Sequence, residues 1–388
     1  MSLSLPIHRL HSLHGSTAVV AAYGNKFFVI DSSSGKVLVA PASKASLPGT
    51  EGANLIADDD FPNGNIRSIA FHPQTKRLAV TSENKDLVCW DVATWKRLSR
   101  RVTIKRANCV AFNGDGSKLL IGDKFGDVYS FQSNDSADKE ALILGHVSML
   151  TDMALSHDGQ YLLTADRDEK VRVSRYPLAF DILQFCLGHN DFISSIHIPS
   201  FAPNLLISGG GDPFLLTWDW MTGKIIQKIE LSVPQDNPFI FVVTSITSHP
   251  LSSLFVVTLE LVNQVLIFDA SNPEDVKEVQ KLDVADEPLN VAFDSEGKLW
   301  IAIGLLSEGP VLAVASRGAN GLYAIDGTSE ALAANLNKLG TESVDELPDY
   351  HPTSKLRKAA GHPPHKHDKR KKKGDTSNGP AKKKKGKA

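Results

Sequence analysis

Seven short strand-like runs recur along this 388-residue chain at a nearly constant interval, and that interval restricts the fold more than any other feature. Lined up by their ends, the runs place Ile30, Trp90, Ser130, Ser174, Trp218, Phe268 and Val314 at one equivalent position, with spacings of 60, 40, 44, 44, 50 and 46. Ahead of most of them lies an apolar strand closed by a turn: Ile66–Phe71 before His72-Pro73, Cys109–Phe112 before Asn113-Gly114-Asp115-Gly116, and Leu289–Phe293 before Asp294-Ser295-Glu296-Gly297. Alternating strands broken by Gly, Asn, Asp and Pro turns at even spacing specify an all-β repeat. The long first interval contains residues 41–65, rich in Ala, Pro, Gly, Ser and Asp, which read as a surface insertion.

A unit of about 40–45 residues with four strands is the signature of a WD-repeat blade. The expected fold is therefore an all-β, seven-bladed propeller over residues 1–323. The stretch 145–176, GHVSMLTDMALSHDGQYLLTADRDEKVRVSRY, shows the blade order: Gly-His, strand, turn, strand, Asp-turn, strand. The segment Gly188–Asp219 carries a complete polar tetrad, His189, Ser208, Asp212 and Trp218. Such a set forms a buried hydrogen-bond chain that fixes the turns. His146 and Asp168 are expected to play the same role in the preceding repeat. That repeat departs from the pattern where it should end in Trp-Asp: it reads Ser174-Arg175, after the charged turn Asp166-Arg167-Asp168-Glu169-Lys170.

After the last repeat, residues 324–350 are expected to form a short helical extension, with Leu332, Leu336 and Leu339 at helical spacing over Thr328–Leu339. Residues 351–388 hold 14 Lys and Arg against 2 Asp and Glu, whereas residues 1–350 hold 28 against 42. A basic, apolar-poor tail on an acidic body is expected to be disordered when free and to serve nuclear import or phosphate attraction. The expected compartment is the nucleus. Three scattered cysteines, Cys89, Cys109 and Cys186, fit a reducing compartment and no cysteine zinc site. No 18-residue apolar run and no signal-peptide core occur, so no membrane partner is expected.

The sequence offers little for chemistry of its own. Gly209-Gly210-Gly211-Asp212 follows a strand, but it precedes another strand and ends on the tetrad Asp, so it reads as a blade turn. Asp166, Asp168 and Glu169 are interleaved with Arg167, Lys170 and Arg172, which favours a salt-linked loop over an acid–base pair. His362, His365 and His367 lie in the Lys-rich tail and are assigned no metal. No catalytic, cofactor-binding or metal residue is expected in this chain.

The segment GHVSMLTDMALSHDGQYLLTADRDEKVRVSRYP resembles the non-catalytic WD-repeat subunit family of eukaryotic tRNA (guanine-N7-)-methyltransferase. So do Gly122–Phe131, Leu187–Ile196, Leu205–Lys224 and the tail motif His351–Lys358. The resemblance implies a heterodimer in which a separate catalytic subunit binds S-adenosylmethionine and methylates N7 of a guanosine in the tRNA variable loop. It further implies that Arg172 pairs with an acidic residue of that subunit. Lys170 is two residues earlier on the same strand and is expected to project beside it, with Arg167, Asp166 and Glu169 setting the register. Lys355, Arg357 and Lys358 are expected to touch tRNA. The competing reading is a generic WD-repeat adaptor in another nuclear complex, such as a chromatin, ubiquitin-ligase or ribosome-assembly complex.

Overall fold

The computed structural model describes residues 3–4, 6–47, 49–232, 241–304, 311–325, 343–344 and 356. Seven sheets follow one another along the chain, each built on an up-and-down antiparallel meander of four consecutive strands. They span residues 7–56 (blade 1), 66–102 (blade 2), 107–145 (blade 3), 150–187 (blade 4), 193–230 (blade 5), 243–283 (blade 6) and 288–324 (blade 7). The expected seven-bladed propeller is therefore present. Near-continuous burial of the second and third strands of each blade drives the assembly. The second strands of blades 1, 5 and 6 are buried along their whole length, as a strand covered on both faces must be. Successive blades share apolar cores, such as Leu163, Val171, Ile196, Leu206 and Trp218 between blades 4 and 5.

Among the described residues each blade takes its strands from one contiguous stretch, so the ring closes without an exchanged strand. Closure is an apolar joint of Ile7, Leu10, Val19, Ile30 and Val37 of blade 1 with Trp300, Leu312 and Val314 of blade 7. The Leu10 amide also donates to Asn290 Oδ1 at 2.8 Å. A separate two-stranded ribbon pairs Leu3 with Val344 and Ser4 with Ser343, tying the two ends of the propeller together.

Three expectations are revised. Residues 41–65 are not merely a surface loop: Asn54–Ile56 adds a fifth strand to blade 1, parallel to Val37–Pro41. This covers a sheet edge that would otherwise be open. Asp60 then pairs with Arg97 at 2.8 Å, and Arg100 donates to the Asp59 carbonyl at 2.9 Å, bracing blade 1 on blade 2. Within the region expected to be a helical extension, residues 343–344 are strand, and Thr328–Leu339 lies outside the described residues. Within the segment expected to be disordered, Leu356 is buried at 8% exposure against Phe192, Val242 and Met149.

Candidate partner and nucleic-acid face on blade 4

One face of the ring carries the loops that lead into each inner strand and the turns between second and third strands. In blade 5 that face is locked as the sequence implied. His189 Nδ1 lies 2.8 Å from Asp212 Oδ2, and the Ser208 hydroxyl lies 2.8 Å from His189 Nε2. The Trp218 indole donates to Ser208 Oγ at 2.8 Å. The neighbouring glycines are there for space. A Cβ on Gly210 would collide with the Phe192 carbonyl, and one on Gly211 would meet the Asp191 carboxyl at 2.7 Å.

Blade 4 uses a different set. His146 Nδ1 lies 3.0 Å from Asp166 Oδ2 and its Nε2 lies 2.7 Å from Thr164 Oγ1. The tetrad acid is thus Asp166, not Asp168. Asp166 is buried, and its Oδ1 accepts from the Asp168 and Lys170 amides, so it caps the charged turn from inside. Asp168 is exposed. Glu169 sits at the left-handed position of this turn, with φ of 72°, where blade 3 has Gly126 at 105°. A side chain there costs roughly 1–2 kcal/mol.

The expected side-by-side pair of cations is also revised. Lys170 is exposed, but Arg172 is buried at 7% exposure. Its Nε donates to Ser174 Oγ at 2.9 Å, Nη1 to the Gly145 carbonyl at 3.0 Å and Nη2 to the Ala179 carbonyl at 2.8 Å. The alternation rule does put residues 170 and 172 on one face, but at 174 that face lacks the Trp side chain. The long arginine folds into the space and occupies the buried acceptors. Among the described residues no carboxylate pairs with it. Burial pushes its guanidinium below the usual arginine range. Arg167, expected to help set a partner's register, instead donates from Nε to the Leu356 carbonyl at 3.1 Å, while its amide donates to the Met149 carbonyl. Lys355, Arg357 and Lys358 lie outside the described residues.

The rim of blade 4 also exposes apolar side chains that no periodicity argument singled out. Leu178 and Phe180 are 58% and 71% exposed in the loop before the outer strand, and Phe185 and Leu187 are 41% and 60% exposed on it. Leu187 lies opposite the exposed Lys170 in the strand register, and exposed apolar side chains beside a cation match a protein-contact surface in composition.

Down the axis, the inner strands line a polar cavity of about 390 Å³ that includes Arg9, Asp152 and His197. Asp152 accepts from the Ile196 amide at 2.9 Å, linking blade 4 to blade 5. Burial raises its carboxyl to about 6, and burial lowers His197 to about 4. Among the described residues no cluster of three or more His, Cys, Asp or Glu could hold a metal ion.

The family profile described as "tRNA methyltransferase TRM82 WD40 domain" matches residues 59–141 and 131–310. The chain belongs to this family. Among its relatives is the Danio rerio tRNA (guanine-N(7)-)-methyltransferase non-catalytic subunit wdr4, 34% identical over 252 residues, which are 63% of this chain and 61% of that protein. The Xenopus laevis protein of the same name is 32% identical over 273 residues, 68% of each chain. The chain thus spans about three fifths to two thirds of the length of these relatives. The solved structure of U3-55K shares the fold, with a TM-score of 0.63 at 16% identity over 78% of this chain and 90% of that one. This TRM82-family chain keeps the propeller, and in blade 4 Arg172 fills the place that Trp218 occupies in blade 5.

Proposed function

We propose that this TRM82-family chain is the non-catalytic subunit of a tRNA (guanine-N7-)-methyltransferase, and that a separate subunit binds S-adenosylmethionine and performs the transfer. The observation that carries this reading is the family match across blades 2 to 7. It is supported by blade 4, where an exposed apolar rim flanks Lys170 on a rigid β-scaffold. A general adaptor role would account for the propeller and the basic tail, but not for that match.

The partner docks on blade 4 through Lys170, Phe180, Phe185 and Leu187. Arg172 acts from beneath, holding Gly145 and the loop that carries Ala179. The tail from Lys355 onward, with Arg357 and Lys358, reaches tRNA phosphates, and its Lys runs direct the protein to the nucleus.

Co-purification tests the docking. Mixing this chain with the methyltransferase subunit should restore N7-methylguanosine in a tRNA transcript, and Phe185→Asp with Leu187→Asp should abolish co-purification. Recovery of full methylation by either chain alone would refute the assignment. For the tail, deleting residues 351–388 should flatten the dependence of tRNA affinity on salt. An unchanged slope would remove the tail from the binding surface.

A further inference from the structure

Beside the blade-4 turn, blade 3 presents an arrangement that partner docking does not use. Phe125, at the tip of its turn between second and third strands, is 55% exposed. Lys105 Nζ lies 4.9 Å and Lys124 Nζ lies 5.2 Å from its ring centroid. Both lysines are exposed, and no described carboxylate forms an ion pair with either. Asp123 lies buried beneath the turn, where its Oδ1 accepts from the Phe125 and Asp127 amides. Next to Lys105, the Nε of Arg106 is buried without a hydrogen-bond partner among the described residues.

An exposed phenyl ring is unfavourable in water, and two ammonium groups drawn to one ring repel each other. The arrangement suits a ligand with a flat apolar face and nearby negative charge. An unpaired nucleotide has both: a base to stack on the ring and phosphates for the cations. A double-stranded segment would offer its phosphates only.

The surface is linked by packing to Leu356. Gly126, next to Phe125, is packed on the carbonyls of His146 and Ser148, so tightly that a Cβ would clash with both. The following residue, Met149, packs against Leu356, and its carbonyl is held by the Arg167 amide. Lys355 and Arg357 are the sequence neighbours of Leu356. Leu356 is thus within one contact chain of the Phe125 turn.

We infer that Phe125, Lys105 and Lys124 form a stacking platform for an unpaired RNA nucleotide, placed at the head of the track that the basic tail continues. This rests on the tRNA binding in the proposed function and adds a residue type, the aromatic, which the tail lacks.

The test measures Kd for the full chain, alone and with its catalytic subunit, against a tRNA transcript and against a fully paired RNA duplex. Phe125→Ala should weaken tRNA binding about fivefold or more, from the lower end of the range for a single stacked base upward. It should leave duplex binding and the salt slope unchanged. Lys105→Ala with Lys124→Ala should weaken both ligands and reduce the salt slope by about two. All three residues are exposed, so the melting temperature should hold. Unchanged tRNA affinity in Phe125→Ala overturns the platform. So does a Phe125→Ala variant that loses the catalytic subunit but keeps RNA, which would make this a protein contact. Failure of the heterodimer to form would leave the RNA measurement on the chain alone intact, so the two readings fail separately.

Discussion

Blades 4 and 5 are neighbours of the same length and topology, yet they are stabilised differently. Blade 5 closes its face with an indole: Trp218 donates to Ser208, which bonds His189, which bonds Asp212. Blade 4 keeps the His–Asp end, with His146 and Asp166, but has Ser174 where the indole belongs. An arginine two residues back fills that place and reaches three acceptors at once. Blade 5 is thus sealed by an apolar, self-sufficient group. Blade 4 is sealed by a buried charge without a carboxylate, below a turn that tolerates a strained Glu169 and beside an exposed apolar rim. Blade 4 thus lacks the indole seal of blade 5 and exposes apolar side chains on its outer strand.

The largest effect should come from blade 5. Trp218→Ala removes a fully buried indole, for a loss of about 3–5 kcal/mol in urea unfolding. A loss below about 1 kcal/mol would show that the tetrad is not what holds this blade. Next is Arg172→Leu, which strands a hydroxyl and two carbonyls at about 1–3 kcal/mol each before water relieves them, so about 2 kcal/mol net. The loss should be visible in the isolated chain. If instead its melting point is unchanged and only partner binding suffers, Arg172 is a direct contact and the brace is wrong. Arg172→Leu combined with Ser174→Trp rebuilds the blade-5 arrangement, with Leu at the place of Leu216, and should regain most of the lost stability.

A pH-dependent difference separates the two inner strands. The Asp152 carboxyl, raised to about 6, stabilises the fold below the usual carboxylate range and loses that contribution as pH rises through 6. His197, lowered to about 4, contributes above the usual imidazole range and loses it as pH falls through 4. Asp152→Asn should therefore gain melting temperature relative to the parent chain as pH goes from 4 to 7. A constant difference across that range would contradict the assignment. Smallest of all, Glu169→Gly should raise stability by about 0.5 kcal/mol, the strain relieved less the added freedom of the unfolded glycine. No gain, with partner binding intact, would mean that the Glu169 side chain itself stabilises the turn.

The repeat period was legible because each blade buries the same third strand, so Trp90, Trp218 and Phe268 recur in phase. The blade-5 tetrad was legible for the same reason. The choice between Asp166 and Asp168 was not. Both fit the turn in sequence, and only the strand register, with Leu150 opposite Asp166, brings one of them to His146. The exposed rim of Phe180, Phe185 and Leu187 was hidden because apolar residues in an outer strand look like core until the strand's position in the blade is known.

The amino-acid order alone fixed the number of blades, the odd character of the fourth and the charge of the tail, since all three depend on local pattern and composition. Whether Arg172 faces outward or inward, where Leu356 settles and which cations gather around Phe125 were decided by packing between distant parts of the chain. Side-chain direction there depends on the space a neighbour leaves, and that space exists only once the ring has closed.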